Sequence, residues 1–199
     1  MTRINLQSWS GIISNTRRAL NAMFAELYSR LPVSKEIIIG SPSFHKGASA
    51  PDDGYINAVV HTLDFDKTTT QHVHYNTIVP KDYAAGTDII IEVDWFFDDI
   101  EADHYMTWEL EYLFIADGEN PATIPTVIYQ KSIISTGNND KQLHTFFETA
   151  LKGAMVDDTL VMRFSRDANA THDTDDLNQD ARLLVVHLHY ITDKLGESL

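Results

Sequence analysis

Two hydrophobic periodicities divide the chain, and each predicts a different kind of secondary structure. Between Leu6 and Leu31 the sequence has no proline, and apolar residues recur at a spacing of three and four. This spacing places side chains on one side of an α-helix, and Pro32 ends the segment. From Tyr55 onward apolar and polar residues alternate, which is typical of half-buried β-strands. The pattern therefore predicts an N-terminal helix followed by a β-domain.

The predicted helix occupies residues 1–31, and one of its faces is apolar. Gly11 weakens its first turns, and Thr16 and Arg30 dilute the apolar spacing. The face either packs against its own domain or associates with copies of itself, and we expect it to serve oligomerisation or docking. The apolar helix face, as we call it below, consists of Leu6, Trp9, Ile13, Leu20, Met23, Phe24, Leu27 and Leu31.

Residues 32–54 differ in composition from the segments on both sides. The stretch "GSPSFHKGASAPDDG" holds three glycines, two prolines and three serines. Such residues favour turns and irregular structure, so the sequence predicts a linker or an extended arm here. The domain organisation predicted from the pattern is a helix at 1–31, a linker at 32–54 and a β-domain at 55–199.

The alternating region predicts about eight strands. In "TDIIIEVDWFF" the residues Ile89, Ile91, Val93, Trp95 and Phe97 share one face, and "MTWELEYLF" alternates in the same way. Turn residues rather than helices separate the segments, which indicates a jelly-roll β-sandwich of antiparallel strands. The last strand is apolar on nearly both faces, which predicts either a central strand or one whose second face is covered by another subunit. The predicted strands are Ile56–Phe65, Gln71–Val79, 87–97, 106–114, Thr126–Ile134, Leu143–Ala150, Thr159–Ser165 and Ala181–Ile191.

Composition and charge narrow the possible partners. The chain has 199 residues, no cysteine and a formal net charge of −14. The lack of cysteine excludes disulfides, thiolate metal sites and a cysteine nucleophile. An acidic protein repels phosphate backbones, and no apolar run approaches the ~20 residues that cross a bilayer, so we expect neither nucleic acid nor membrane as a partner. Arg3, Gln7, Arg17 and Arg18 interrupt any signal-peptide core, which favours synthesis in a cytosol.

An aspartate-rich segment before the last predicted strand is a candidate cation site. Asp167, Asp173, Asp175, Asp176 and Asp180 offer oxygen ligands within residues 167–180. The segment lacks the central glycine and the distal glutamate of a calcium-binding loop. A solvated loop between two strands is therefore the favoured interpretation, and a bound cation is the alternative.

Two pairs of histidines are candidate metal ligands. His72 and His74 are two residues apart in a predicted strand, as are His187 and His189. Residues at this spacing point to the same face of a sheet, so each pair offers two imidazoles to one ion. No nearby acid or histidine completes a recognisable motif, and half-buried strand histidines are commoner. We predict neither a metal nor a cofactor.

Catalytic signatures are absent from the sequence. Acidic residues are abundant, but nothing selects one pair as a general acid and base, and no GxSxG, P-loop or GxGxxG motif occurs. Ser165-Arg166-Asp167 is the nearest approach to a nucleophile motif, and it lacks a placed base. Aromatic residues at strand spacing are expected in the core, although they could instead form a platform for sugars. These candidates are Tyr75, Tyr83, Trp95, Phe96, Phe97, Tyr105, Trp108 and Tyr112.

Residues Val79–Glu197 resemble a family of tailed-bacteriophage and prophage virion structural proteins with a C-terminal jelly-roll-like β-sandwich. The resemblance lies in three pieces in order: "VPKDYAAGTDIIIEVDWFFDD", "MTWELEYLF", and the closing hairpin "DDTLVMRFSRDANATHDTDDLNQDARLLVVHLHYITDKLGE". It implies a structural protein of the virion without enzymatic activity, such as a capsid-decoration or head-fibre protein or a component attached to the collar or tail.

The resemblance also carries expectations about partners and location. We expect a homotrimer that contacts a major capsid, portal, collar or tail protein. The protein would be made in the host bacterial cytoplasm and would reside in the virion. The alternative function is a carbohydrate- or host-receptor-binding module of a tail or head fibre, and an enzyme ranks third.

Overall fold

The alternating region forms a sandwich of two antiparallel sheets in the computed structural model, which describes residues 16–23, 32–98, 103–135 and 141–192. The chain is mainly β, as predicted. The strands in chain order are β1 Val33–Gly40, β2 His45–Lys46, β3 Asp52–Ile56, β4 Val60–Phe65, β5 His72–Ile78, β6 Ile90–Phe96, β7 His104–Ile115, β8 Thr126–Ile134, β9 Leu143–Phe146, β10 Thr159–Arg166 and β11 Ala181–Thr192.

The order of strands β4 to β11 is that of a jelly roll. One sheet, called sheet A, has the order β3-β4-β11-β6-β9 with β1 also paired to β11, and sheet B has the order β2-β5-β10-β7-β8. Counted from β4, sheet A therefore holds the first, eighth, third and sixth strands, and sheet B holds the second, seventh, fourth and fifth. This is the double Greek-key arrangement of a jelly roll, and each of its eight strands overlaps a predicted one.

Strand β11 is central, which confirms the first of the two alternatives predicted from its apolar faces. Along one edge it pairs with β6. Along the other edge it pairs with β4 through Ala181–Leu183 and with β1 through Val185–Thr192. Its outward-facing side chains are consequently surrounded by side chains from β1 and β6.

The core lies between the sheets and is rich in aromatic rings. The predicted inward face of β6 is confirmed, because Ile91, Val93 and Trp95 are fully buried. Trp108 of β7 faces Trp95 across the core with ring centroids 6.0 Å apart and an edge-on orientation. Burying such apolar area is the main favourable term in folding, so these alternating positions specify which face of each strand points inward.

The predicted linker at 32–54 is wrong, since three strands begin within it. Strand β1 pairs with β11 over its whole length, and Ile39 is fully buried in the core. The alternation of Ile37 and Ile39 was the signal for this strand. Pro42, Gly47 and Pro51 follow it at short connections, including the 3-10 turn Ser41–Ser43.

The predicted strand Ile56–Phe65 is also corrected, because it contains a hairpin. Strand β3 ends at Ile56, and β4 begins at Val60. Asn57 and Ala58 have positive φ angles of 50° and 58°, which turn the chain between the two strands. Alternation alone did not reveal this turn, because it contains neither glycine nor proline.

The N-terminal segment is helical over residues 16–23, as predicted, and every residue of this stretch is exposed. Leu20 and Met23 of the apolar helix face have 48% and 56% of their surface exposed. The other members, Leu6, Trp9, Ile13, Phe24, Leu27 and Leu31, lie outside the described residues. Within the described part of the chain, no helix has the length and apolar character needed to span a membrane.

Candidate functional site

The outer face of sheet A carries a group of imidazoles and carboxylates, which we call the His–acid cluster. Exposed apolar side chains border it on the same face, among them Ile38, Ile90 and Phe146. The cluster consists of Glu36 on β1, Glu92 and Asp94 on β6, His144 on β9, and His187 and His189 on β11.

Strand register brings these residues together. Glu92 lies opposite His187, and Asp94 lies opposite His144. Glu36 lies opposite His189 on the other side of β11. Side chains directly opposite on one face of an antiparallel pair have Cβ atoms ~4.5–5.5 Å apart, so four strands place six polar side chains within reach of one another.

The two histidines of β11 each contact one oxygen of a β6 carboxylate. Nε2 of His187 lies 3.3 Å from Oδ2 of Asp94, and Nε2 of His189 lies 2.8 Å from Oε2 of Glu92. Their Nδ1 atoms face Oε2 of Glu36 at 3.2 Å and 3.9 Å. Each imidazole therefore bridges one carboxylate of β6 and the carboxylate of β1.

The third histidine contacts the remaining oxygens of the same carboxylates. Nδ1 of His144 lies 3.1 Å from Oε1 of Glu92 and 2.6 Å from Oδ1 of Asp94. Gln142 donates a hydrogen bond of 2.6 Å to Oδ2 of Asp94. Oδ1 of Asp94 is buried, and beyond its contact with His144 it accepts no hydrogen bond.

The His–acid cluster contains acidic partners that the sequence did not show for one of the predicted histidine pairs. His187 and His189 share a face, as predicted, and the missing acids come from β1 and β6. His144 was not a candidate. Among the described residues, Glu92, Asp94 and His144 form the group with metal-compatible spacing, with one ligand atom of each within 4.8 Å of the others.

The other predicted pair, His72 and His74, lies on β5 of sheet B. The two rings meet edge-on with centroids 5.3 Å apart. Burial, and to a lesser extent the neighbouring His72, lowers the pKa of the His74 imidazole. Neither residue belongs to the metal-compatible group found in the described part of the chain, so this pair resembles the half-buried strand histidines that the sequence favoured.

The aspartate-rich segment, residues 167–180, is the closing loop between β10 and β11. Most residues of the loop are exposed, as predicted for a solvated loop, but Asp167 and the side chain of Asp175 are buried. Asp167 is 2% exposed and accepts hydrogen bonds of 3.0, 2.8 and 3.2 Å from the peptide N–H groups of Thr171, His172 and Asp173. Asp175 forms an ion pair with Arg166 in which neither side chain is exposed.

The other aspartates of the closing loop also fasten it to the sandwich. Asp173 forms an ion pair of 2.8 Å with Lys131 of β8, which lowers the pKa of Asp173. Asp176 accepts a hydrogen bond of 2.6 Å from the N–H of Tyr105, and Asp180 accepts one of 3.0 Å from the N–H of Lys67. These contacts give the carboxylates a structural role without an ion.

The predicted aromatic residues lie mostly in the core. Trp95, Phe97 and Trp108 are fully buried, and Phe96, Tyr83 and Tyr112 are nearly so. The aromatic side chains that are largely exposed among the described residues are Tyr55 and Phe146. Phe146 stacks beside His189 with ring centroids 6.3 Å apart, which places it at the border of the His–acid cluster.

The Ser165-Arg166-Asp167 motif does not form a nucleophilic site. Ser165 is 2% exposed and donates a hydrogen bond of 3.2 Å to Oε1 of Glu109. Burial raises the pKa of Glu109, and the hydrogen bond from Ser165 partly opposes the rise. The hydroxyl of a residue that is 2% exposed is not accessible to a substrate.

No protein-family model matches the sequence, and no curated protein matches it. Among solved structures, the chain is similar to the CBM36-1 domain of a multidomain xylanase from the hindgut metagenome of Trinervitermes trinervoides, with a TM-score of 0.43 and 13% identity over 83% of this chain and 100% of that chain. For a carbohydrate-binding module CBM36 in complex with calcium and xylotriose, the TM-score is 0.43 and the identity is 10%, over 76% of this chain and 98% of that chain.

A structure of the Gx strain of infectious bursal disease virus gives a TM-score of 0.41 and 8% identity, over 85% of this chain and 33% of that chain. These TM-scores support no functional argument. The architecture of this chain rests on its own strand order.

Proposed function

We propose that this chain is a structural, non-enzymatic protein of a tailed-bacteriophage virion. It acts by assembly: three copies associate and dock onto a capsid, portal, collar or tail protein. The observation that carries the proposal is the exposure of the apolar helix face at Leu20 and Met23. The resemblance of Val79–Glu197 to virion proteins and the jelly-roll strand order support it.

The exposed helix favours association because its apolar side chains have no cover in the described part of the chain. Leu20 and Met23 lie three residues apart and therefore share one side of the helix. Burying such side chains contributes ~1.5–3 kcal/mol each, so three copies that cover one another gain considerable free energy. Three copies are proposed by analogy, since a jelly roll with an N-terminal helix suits closed threefold symmetry.

The mass of the full-length protein in solution tests self-association. Sedimentation equilibrium should give the mass of three chains for the wild type and of one chain for Leu20→Asp/Met23→Asp. The sandwich should stay folded in this variant, because both residues are exposed and lie outside the sheets. The circular dichroism spectrum and the thermal transition of the β-domain show whether the sandwich is folded in the variant.

A matched control separates the loss of apolar surface from the change in charge. Arg18→Gln/Asn21→Asp changes the net charge by the same two units at polar positions on the other side of the helix. This variant should remain trimeric. A monomeric wild type, or a trimeric Leu20→Asp/Met23→Asp variant, would contradict assembly through the helix.

Particle composition tests the location. Mass spectrometry of purified particles from the phage that encodes this chain should find its peptides in a fixed ratio to the major capsid protein. The Leu20→Asp/Met23→Asp variant, supplied in place of the wild type, should be missing from the particles. Particles that lack the wild-type protein would overturn the virion assignment.

A carbohydrate- or host-receptor-binding module is the alternative function. Most of its predicted aromatic platform is buried, including Trp95 and Trp108. Glycan-array binding by the wild type that persists in the Leu20→Asp/Met23→Asp variant would favour this alternative, because recognition would then be independent of assembly.

A further inference from the structure

We propose that Glu92, Asp94 and His144 bind one divalent first-row transition-metal ion, represented by Zn²⁺, on the outer face of sheet A. The ligand atoms are Oε1 of Glu92, Oδ1 of Asp94 and Nδ1 of His144. The site is independent of the proposed virion function, because it lies on the jelly roll and involves no residue of the helix.

The spacing of the ligand atoms fits one ion. Nδ1 of His144 lies 3.1 Å from the Glu92 oxygen and 2.6 Å from the Asp94 oxygen. A tetrahedral Zn²⁺ with bonds of ~2.0–2.2 Å separates its ligands by about 3.4 Å. His144 needs to move outward by less than 1 Å or so to reach that geometry. Its side chain is 52% exposed, which leaves room on the solvent side for this shift.

A buried carboxylate oxygen lies at the centre of the three ligands. Asp94 is 7% exposed, and its Oδ1 atom contacts Nδ1 of His144 at 2.6 Å but accepts no hydrogen bond. Its other oxygen, Oδ2, is fully used by Gln142 at 2.6 Å and His187 at 3.3 Å. A buried carboxylate oxygen that accepts no hydrogen bond is poorly stabilised, and a cation shared by Oδ1 and His144 would improve its environment.

The surrounding side chains hold the ligands in place. His187 and His189 contact the non-ligating oxygens of Asp94 and Glu92, and Glu36 in turn contacts both imidazoles. Such outer contacts fix the orientation of metal-binding carboxylates and strengthen their binding. The fourth coordination position faces solvent, where a water molecule completes the tetrahedron.

The mixture of ligands selects the class of metal. One imidazole and two carboxylates suit Zn²⁺ and its neighbours, and their two negative charges neutralise a divalent ion. Ca²⁺ takes six to eight oxygen ligands, and Mg²⁺ usually retains several waters on one or two carboxylates. Both ions prefer oxygen ligands to the His144 nitrogen, so both are expected to bind more weakly than Zn²⁺.

Metal binding would tie an edge strand to the sheet. Strand β9 has four residues and pairs with β6 alone among the described strands. His144 is one of its two outward residues, whereas Glu92 and Asp94 belong to β6. An ion shared by the two strands therefore cross-links β9 to sheet A and stabilises the folded protein.

Calorimetric titration of the tag-free, full-length protein with ZnCl₂ tests the site. We expect one ion per chain and a rise in the thermal transition temperature that saturates with the ion. His144→Gln and Glu92→Gln should each weaken Zn²⁺ binding at least tenfold. His187→Gln, an outer-contact variant, should weaken it by about 10–100-fold. CaCl₂ and MgCl₂ at equal concentration should not compete.

The matched control is His72→Gln/His74→Gln, which removes the other strand pair of histidines and should leave Zn²⁺ binding unchanged. The transition temperature without metal shows that each variant is folded. The proposal is overturned if Zn²⁺ produces no saturable binding, if His144→Gln binds as the wild type does, or if the control variant loses binding instead. The oligomeric state plays no part in these outcomes, so failure here leaves the proposed function standing.

Discussion

The guanidinium of Arg166 and the carboxylate of Asp175 form a two-point ion pair in which both side chains are completely buried. Nε and Nη2 of Arg166 donate to the two oxygens of Asp175 at 2.9 Å and 2.7 Å. The remaining donors of Arg166 bind the carbonyl oxygens of Leu177 and Gln179, each at 2.6 Å. One arginine at the end of β10 thus fastens three points of the closing loop ahead of β11.

Replacing Asp175 should destabilise the protein strongly. Asp175→Asn leaves the buried Arg166 charge without a counter-charge, and removing one partner of a buried pair costs about 3–5 kcal/mol. Urea denaturation followed by tryptophan fluorescence measures the loss. Arg166→Met/Asp175→Leu should cost less than the sum of its two single variants, because no uncompensated charge remains.

The control for this prediction is Asp173→Asn in the same closing loop. Asp173 pairs with Lys131 on the surface, where its side chain is 40% exposed. Exposed ion pairs contribute little, so this variant should unfold close to the wild type. Equal losses for Asp173→Asn and Asp175→Asn would show that the buried pair has no special role.

Gly54 should resist replacement by any larger residue. It lies opposite Thr62 in the β3–β4 hairpin, and a Cβ atom at this position would overlap the carboxylate of Asp64. Asp64 would have to rotate and lose the 2.6 Å hydrogen bond from the Thr62 hydroxyl. Gly54→Ala should therefore lower the free energy of unfolding by about 0.5–1.5 kcal/mol, the usual contribution of the lost hydrogen bond, as measured in urea.

Gly47→Ala provides the comparison. A Cβ atom there meets its nearest neighbours, the Nε2 atoms of His72 and His74, at 3.7 Å and 3.8 Å, which is ordinary contact. Its stability should equal or slightly exceed that of the wild type, because alanine restricts the unfolded chain. If Gly54→Ala also retained wild-type stability, the close approach of Asp64 would be unimportant.

The eight jelly-roll strands were predictable because their inward positions alternate with polar ones. Strand β6 is an example, since Ile91 and Val93 are buried whereas Glu92 and Asp94 face outward. Strands β1 to β3 were missed because their glycines and prolines indicated a linker. The physical reason is that β1 gains its stability from pairing with β11, about 150 residues away, and no local pattern shows this contact.

The candidate site was predictable only in part for the same reason. The shared face of His187 and His189 follows from a spacing of two residues. Their acidic partner Glu36 is 151 residues distant from His187 in the chain, and His144 joins Glu92 across 52 residues. Strand order brings these residues together, and strand order is set by the global packing of two sheets.

Acid should remove the contribution of Asp66 to stability. Its Oδ1 atom accepts hydrogen bonds of 2.8 Å from the Thr68 hydroxyl and 2.7 Å from the N–H groups of Thr68 and Thr69. The Thr68 hydroxyl is the largest of these influences, and together they lower the pKa of Asp66. A lowered pKa stabilises the folded state above the unfolded pKa, and this stability is lost as the pH falls through the folded pKa.

Asp66→Asn should therefore have a lower free energy of unfolding than the wild type near neutral pH. This difference should shrink below about pH 4, where the carboxyl of the unfolded wild type is protonated. Urea unfolding at a series of pH values gives the difference directly. Gly47→Ala introduces no titrating group, so its difference from the wild type should not follow this curve. If the difference in free energy of unfolding between Asp66→Asn and the wild type widened in acid, the pKa of Asp66 would not be lowered in the folded state.

Trp108 should contribute to the core rather than to recognition of a ligand. Its ring is fully buried and lies 4.8 Å from Phe164 and 5.3 Å from Phe65, measured between centroids. Trp108→Ala should lower the free energy of unfolding, measured in urea, by about 3–5 kcal/mol, because it leaves a cavity between the sheets. Tyr55→Ala, at a ring that is 60% exposed, should change stability by roughly 0.5 kcal/mol at most. A Trp108→Ala protein as stable as Tyr55→Ala would mean that this aromatic cluster does not hold the two sheets together.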